Sequence, residues 1–161
     1  MPHLLIVYHT QTGGTRLLAE AALRGARTIG ETTTELRMAA ATSAEDLLQA
    51  DGLLLGTPEN FGYMSGMLKD FFDRVYYPCE DKLTARPYSV FVCAGNDGTG
   101  AMREVDRIVT GLRMKKVHPG VIALRVGGAV GSSRGNLDPQ DLAAAAELGG
   151  TLAAGLAFGV F

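Results

Sequence analysis

Apolar residues in this chain fall into two alternating patterns, short unbroken runs and longer stretches with helical spacing. Leu4-Leu5-Ile6-Val7-Tyr8 is the first run, as expected of a strand buried on both faces. It ends at small polar residues, Thr10 to Thr15, beyond which Leu18, Ala21, Ala22, Gly25 and Ile29 recur on one side of a helix. Thr32 to Met38, β-branched at its start, predicts a second strand. Thr42 and Glu45 have capping-box spacing and predict a short helix through Leu47 and Leu48. Gly52-Leu53-Leu54-Leu55-Gly56 is a third buried strand, stopped by Thr57-Pro58.

The clearest helix follows a glycine-rich loop. Leu68, Phe71, Phe72, Val75 and Tyr76 share one face, with Lys69, Asp70, Asp73 and Arg74 opposite. Tyr88 to Ala94 reads as a fourth strand. The next helix carries Met102, Val105, Ile108, Val109 and Leu112 on one face and is expected to end in Arg113, Lys115 and Lys116, a solvated terminus that suits the helix dipole. Val121 to Val126 is a fifth strand. Asp138-Pro139 supplies an N-cap and an N1 proline for a last, alanine-rich helix.

Five strands alternating with five helices predict an α/β fold, a parallel sheet covered on both faces. With 161 residues and no linker or repeat, one domain over residues 1–161 is expected. Apolar residues at 47% and charged residues at 20% exclude disorder. The net charge of −2 offers no general field for nucleic acid or an anionic membrane, so neither is an expected partner. Cys79 and Cys93 stand alone, without a C-x-x-C, and read as packing residues of a reduced, cytoplasmic chain. The start, Met-Pro-His, has no basic region or cleavage site of a signal peptide. Leu148 to Phe161 is too short and glycine-rich to span a bilayer, so no membrane insertion is expected. His3, His9 and His118 lack ligand spacing, so no metal is expected.

Ligands of open α/β sheets bind beyond the carboxyl ends of the strands, where the strand order reverses. Three strand-to-helix loops are unusual in composition, and a sheet ordered 2-1-3-4-5 makes them neighbours. The first, Thr10-Gln11-Thr12-Gly13-Gly14-Thr15, precedes a helix whose free N–H groups and dipole suit an anion. It contains no Lys or Arg, so neutral donors would hold a phosphate there. The same residues also suit an ordinary glycine turn with a threonine N-cap. The second loop, with Pro58, Glu59, Asn60, Phe61 and Gly62, can wall a flat heterocycle through Phe61 or Tyr63, or simply cover the next helix. The third, with Gly95, Asn96, Asp97, Gly98 and Gly100, lets a ring approach the backbone or acts as a plain connection.

Together the loops resemble those of the flavodoxin-like family, and within it the FMN-dependent NAD(P)H oxidoreductases. Thr10-x-Thr12-Gly13-x-Thr15 matches the family's T-x-T-G-x-T phosphate loop. Asp51 to Pro58, Phe61-Gly62 and Lys69-Asp70-Phe71-Phe72-Asp73-Arg74 are similar to its second signature. The likeness covers nearly the whole chain and is strongest over residues 4–15 and 51–76. It implies a three-layer sandwich with a five-stranded parallel sheet of order 2-1-3-4-5. It implies FMN, with its phosphate on residues 10–15 and its ring between Pro58–Gly62 and Gly95–Gly100. The flavin would carry the redox chemistry, with no catalytic side chain. NADH or NADPH would be the donor, and a quinone, free flavin, azo or nitro compound the acceptor. A flavodoxin-type electron carrier is the alternative, weakened by the small net charge. The longer quinone reductases of this fold carry an insertion after the fourth strand that this chain lacks. The apolar last helix, with Ala143 to Ala146, Leu148, Leu152 and Leu156, raises the expectation of a homodimer or homotetramer.

Other chemistries fail on context. Gly131-Ser132-Ser133-Arg134-Gly135 fits G-x-S-x-G, but no helix starts at the serine and no histidine follows. There is no P-loop motif and no G-x-G-x-x-G after the first strand. The acidic cluster and phosphoryl-accepting Asp of a response regulator are replaced by Tyr8-His9-Thr10 and Gly56-Thr57-Pro58.

Overall fold

The computed structural model of the chain describes residues 1–125 and 137–161. Val126, the expected end of the fifth strand, and the Gly131 to Gly135 motif lie outside the described residues. The elements in chain order are β1 (His3–Tyr8), α1 (Gly14–Arg27), β2 (Thr33–Met38), a 3-10 turn (Ala39–Ala41), α2 (Ala44–Gln49), β3 (Gly52–Asn60), β4 (Tyr63–Met64), α3 (Gly66–Cys79), β5 (Pro87–Ala94), α4 (Thr99–Gly111), β6 (Lys115–Lys116), β7 (Val121–Leu124) and α5 (Pro139–Ala157).

The main sheet is parallel and runs β2-β1-β3-β5, with β6 and β7 both on the outer side of β5. β6 and β7 together occupy one strand position, so the observed order is the expected 2-1-3-4-5 with a broken fifth strand. Leu4 to Val7 and Leu53 to Leu55 are fully buried, as their unbroken apolar runs require. Alternate side chains of the sheet feed two cores. One face packs Leu5, Val7, Leu53, Leu55, Val90 and Val92 against α2, α3 and α4; the other packs Leu4, Ile6, Leu54, Phe91 and Cys93 against α1 and α5.

Three local expectations are corrected. Ser43, not Thr42, caps α2: its Oγ accepts from the Asp46 N–H at 3.2 Å, while an Asp46 carboxylate oxygen accepts from the Ser43 N–H at 2.8 Å. The Thr42 hydroxyl is turned away and donates to the Met38 carbonyl at 2.8 Å. Lys115 and Lys116 form a strand rather than a helix end. The helix stops because Arg113 takes a left-handed φ of 60°, with its N–H donating to Thr110 and that of Met114 to Val109, a Schellman-type termination. Lys116 then reaches back to α4, donating to Asp106 at 2.6 Å, and Asp106 also accepts from the Tyr88 hydroxyl at 2.9 Å.

The third correction shapes the functional end of the sheet. β3 does not stop at Thr57-Pro58 but continues to Asn60 and turns into β4, with Asn60 opposite Tyr63 and Glu59 opposite Met64. The two turn residues, Phe61 and Gly62, have φ of 54° and 71°, the positive pair of a two-residue hairpin turn. Pro58 is tolerated in the strand, where it lies opposite Cys93.

The apolar surplus of α5 has an occupant within the chain. A Cβ on Gly25 of α1 would lie 1.8 Å from the Ala146 carbonyl oxygen, and one on Gly149 of α5 would lie 2.0 Å from that of Ala22. The two helices therefore cross backbone to backbone, which only glycine permits at those positions. Asp138 caps α5 as expected, accepting from Gln140 N–H at 2.8 Å. Among the described residues, no helix is long and apolar enough to cross a membrane.

Candidate functional site

The three loops singled out in the sequence follow β1, β3 with its hairpin, and β5, which are adjacent in the sheet. They meet at its carboxyl edge, and hydrogen bonds join them. Asn60 Nδ2 donates to Gln11 Oε1 at 3.0 Å, tying the second loop to the first. The Glu59 carboxylate accepts from the N–H groups of Gly98 at 2.9 Å and Ala101 at 3.1 Å, tying the second to the third.

The first loop has the shape of an anion cradle. Gly13, the N-cap of α1, has a φ of 102° and no side chain to cap the helix, so the first N–H groups of α1 lack the partner a cap would provide. Thr10 Oγ1 accepts from Gly13 N–H at 3.0 Å and closes the turn, leaving its own O–H to donate outward. Thr15 is buried, and its Oγ1 has no hydrogen-bond partner. A buried hydroxyl without a partner costs free energy, so its presence at a helix N-terminus points to an absent acceptor. Gln11 and Thr12 are exposed at the mouth of the loop. Arg16 turns along the helix to Glu20 at 2.9 Å, in keeping with a cradle of neutral donors. Gly14 sits against β5, where a Cβ would lie 2.6 Å from Cys93 Sγ.

The other two loops divide their residues between support and exposure. Pro58 is buried within β3, Glu59 is engaged at α4, and Gly98 and Gly100 are buried. A Cβ on Gly100 would lie 2.2 Å from the Gly62 carbonyl oxygen, and one on Gly98 would lie 2.4 Å from the Ile122 side chain. These glycines therefore allow the hairpin, α4 and β7 to close on one another. The exposed members are Phe61, Gly62, Gly95, Asn96 and Asp97, with Phe61 fully outside at 107%. Asp97 holds the start of α4 through Thr99, whose hydroxyl donates to Asp97 Oδ1 at 2.8 Å. Behind the hairpin, Thr57 Oγ1 accepts from Ser65 N–H at 3.0 Å, and Ser65 caps α3.

The second signature block is structural. Phe71 and Phe72 are core residues, and Arg74 donates to the carbonyls of Ala39 and Thr42, each at 2.8 Å. Two further residues lie at this end: His9, which the sequence reads as strand-end packing, and Arg125, which it leaves without a role. His9 follows β1 with its Nδ1 buried and unpartnered, and burial lowers its pKa from 6.5, so it is neutral at pH 7. Arg125 follows β7; burial pushes the nearby Cys93 thiol up, opposed by the Arg125 guanidinium. The available signal for both was position, one residue beyond a strand at the functional edge.

The architecture is that of the flavodoxin-like class. An archaeal flavodoxin superimposes with a TM-score of 0.78 at 16% identity, over 96% of this chain and 98% of that one. A WrbA-like flavodoxin from Agrobacterium tumefaciens gives 0.72 at 19% identity, over 96% of each chain. Residues 28–128, more than half of the chain, match the family model for NADPH-dependent FMN reductase. The chain belongs to that family of NADPH-dependent FMN reductases. It is 35% identical over 100 residues to a flavodoxin of Aquifex aeolicus, covering 62% of this chain and 54% of that protein. It is 27% identical over 147 residues to an NAD(P)H dehydrogenase (quinone) of Acidithiobacillus ferrooxidans, covering 78% and 72%.

The residues present fit FMN. Its phosphate monoester is an acceptor-rich anion of the kind that an uncapped α1 and the unpartnered Thr15 hydroxyl lack. Gly95 to Asp97 and the turn residues Phe61 and Gly62 are exposed at the same edge of the sheet.

Proposed function

We propose that residues 1–161 form a single FMN-binding domain that takes electrons from NADH or NADPH and delivers them to a small acceptor, of which a quinone is the first to test. The observation that carries this reading is the partnerless Thr15 hydroxyl at the uncapped N-terminus of α1, beside a second loop tied to the first through Asn60 and a third tied to the second through Glu59. The quinone is favoured because relatives such as that of Acidithiobacillus ferrooxidans are named for it.

In this reading Thr10, Gln11, Thr12, Gly13, Gly14 and Thr15 surround the phosphate. The backbone of Pro58, Glu59, Asn60, Phe61 and Gly62 borders the ring on one side, and that of Gly95, Asn96, Asp97, Gly98 and Gly100 on the other. When bound, the flavin supplies the hydride and electron chemistry, which side chains cannot. The chain's own part is to hold and orient. Thr10 and Thr15 donate hydroxyls, α1 contributes its dipole, and the hairpin excludes water from one side. No side chain is assigned as acid, base or nucleophile. The reaction is placed in the cytoplasm, where nicotinamide nucleotides and reduced cysteines are at home, and both cysteines are free and buried. A homodimer or homotetramer stays part of the reading: α1 covers one side of α5, while Phe158 and Val160 beyond its end remain exposed.

The test loads the purified protein with FMN, removes free flavin and oxygen, and follows the visible flavin band as NADPH or NADH is added. Rapid bleaching, reversed by benzoquinone, is expected. A retained flavin that neither nucleotide bleaches would make the chain an electron carrier, like the flavodoxin of Aquifex aeolicus that it resembles. Failure to retain FMN would refute the site itself.

A further inference from the structure

Two helix N-termini, those of α1 and α4, open onto the same edge of the sheet, and they are finished in opposite ways. Both have a left-handed glycine as N-cap, Gly13 with φ 102° and Gly98 with φ 90°, and neither glycine can cap its own helix. By backbone geometry alone, each is an equivalent anion site. At α1 no described side chain caps the helix, and the buried Thr15 hydroxyl beside it has no partner. At α4 it is filled from within the chain, because the Glu59 carboxylate places one oxygen on Gly98 N–H and the other on Ala101 N–H.

From this contrast we infer that Glu59 is a positioning residue. It occupies the anion position of α4 and clamps the Gly95–Asp97 loop to the hairpin in the shape that receives the ring. The inference rests on the proposed FMN site and adds to it a residue whose side chain does not touch the ligand's phosphate. Glu59 bridges 39 and 42 positions in sequence, and each bond is charge-assisted. A second contact keeps the same two pieces together: Gly100 leaves no room for a Cβ against the Gly62 carbonyl. The ring-binding loops are thus braced across a seam separate from the Asn60–Gln11 hydrogen bond that ties the hairpin to the phosphate loop.

The two halves of FMN separate the roles. Riboflavin has the ring but lacks the phosphate, so it senses the clamp and not the cradle. In Glu59→Gln the amide has one acceptor oxygen where the carboxylate has two, so one N–H of α4 loses its partner. Affinity for FMN and for riboflavin should fall by the same factor, about 10-fold or more, the loss for one hydrogen bond to a charged group. The visible flavin spectrum of the complex should shift. In the flavin-free protein, amide exchange at Gly98 or Ala101 should accelerate by a similar factor, and Glu59→Asp, which keeps the charge, should recover part of the riboflavin affinity. Thr15→Val should weaken FMN alone. Should Glu59→Gln not fold, the wild-type exchange rates and the Glu59→Asp affinities still decide. Unprotected amides at Gly98 and Ala101, unchanged riboflavin binding, or a loss confined to FMN would each overturn the inference. A wild-type protein that binds neither flavin would remove the FMN site and this role together, whereas wild-type binding with an indifferent Glu59 would remove only this role.

Discussion

Thr15→Val should make the flavin-free protein more stable and its FMN complex weaker. The side chain is 1% exposed and its hydroxyl has no partner, so it is held out of water without compensation. Leaving such a group unsatisfied costs about 1–3 kcal/mol, and valine removes the hydroxyl while filling nearly the same volume. A gain of about 1 kcal/mol corresponds to a rise in Tm of about 2–4 °C for a chain of this length. In the complex the same hydroxyl donates to a charged phosphate, a bond of about 1.5–3 kcal/mol, so the Kd for FMN should rise by about 10–150-fold. Riboflavin affinity should not change. Calorimetric unfolding of the flavin-free protein and quenching titrations with both flavins read the two signs separately. A lower Tm together with unchanged FMN affinity would mean that the hydroxyl serves the fold, and the assignment of the phosphate to α1 would fail.

Three further expectations follow from other parts of the chain. Phe61 holds a φ of 54° with its ring fully exposed, a conformation that costs a side chain about 1–2 kcal/mol and that Asn accepts more readily. Phe61→Asn should therefore raise the denaturant midpoint of the flavin-free protein while weakening riboflavin, and a midpoint that falls would show the ring to be packed. Gly25→Ala places a methyl 1.8 Å from the Ala146 carbonyl oxygen, so α1 and α5 must separate. A loss of about 1–3 kcal/mol by urea unfolding is expected despite alanine's better helix propensity, and a neutral or stabilised variant would contradict the close crossing. For His9 the unfolded chain takes up its proton near pH 6.5, while burial holds the folded pKa lower. Its contribution is therefore absent above that pH and destabilises the protein as the pH falls below it. The pH profile of unfolding free energy for His9→Asn should be flatter between pH 7 and 5, and identical profiles would place His9 in water.

Much of this protein is legible along the chain because local periodicity reports burial directly. The runs at residues 4–8 and 53–55, and the face of Leu68, Phe71, Phe72 and Val75, are buried as their spacing requires. That three loops of unusual composition meet at one edge was legible too, since a parallel sheet of order 2-1-3-4-5 leaves little choice about which carboxyl ends are neighbours. Single-residue choices were not. Thr42 and Ser43 are both capping residues, and only the turn of the chain decides that one faces α2 and the other the Met38 carbonyl. The Phe61-Gly62 hairpin was hidden because phenylalanine is an unusual occupant of a positive φ.

What the tertiary structure alone decided is which polar groups at this edge are paired and which are not. Thr15 and Glu59 carry no mark in the sequence to say that one hydroxyl will lack a partner and one carboxylate will be used twice. Gly25 and Gly149 do not announce that they face each other's helix. Periodicity is set by neighbours a few residues apart, which any segment carries with it. Hydrogen-bond satisfaction and backbone clearance are set by elements distant along the chain, 39 and 42 residues apart for Glu59 and its two partners, which meet only after the sheet order has brought them together.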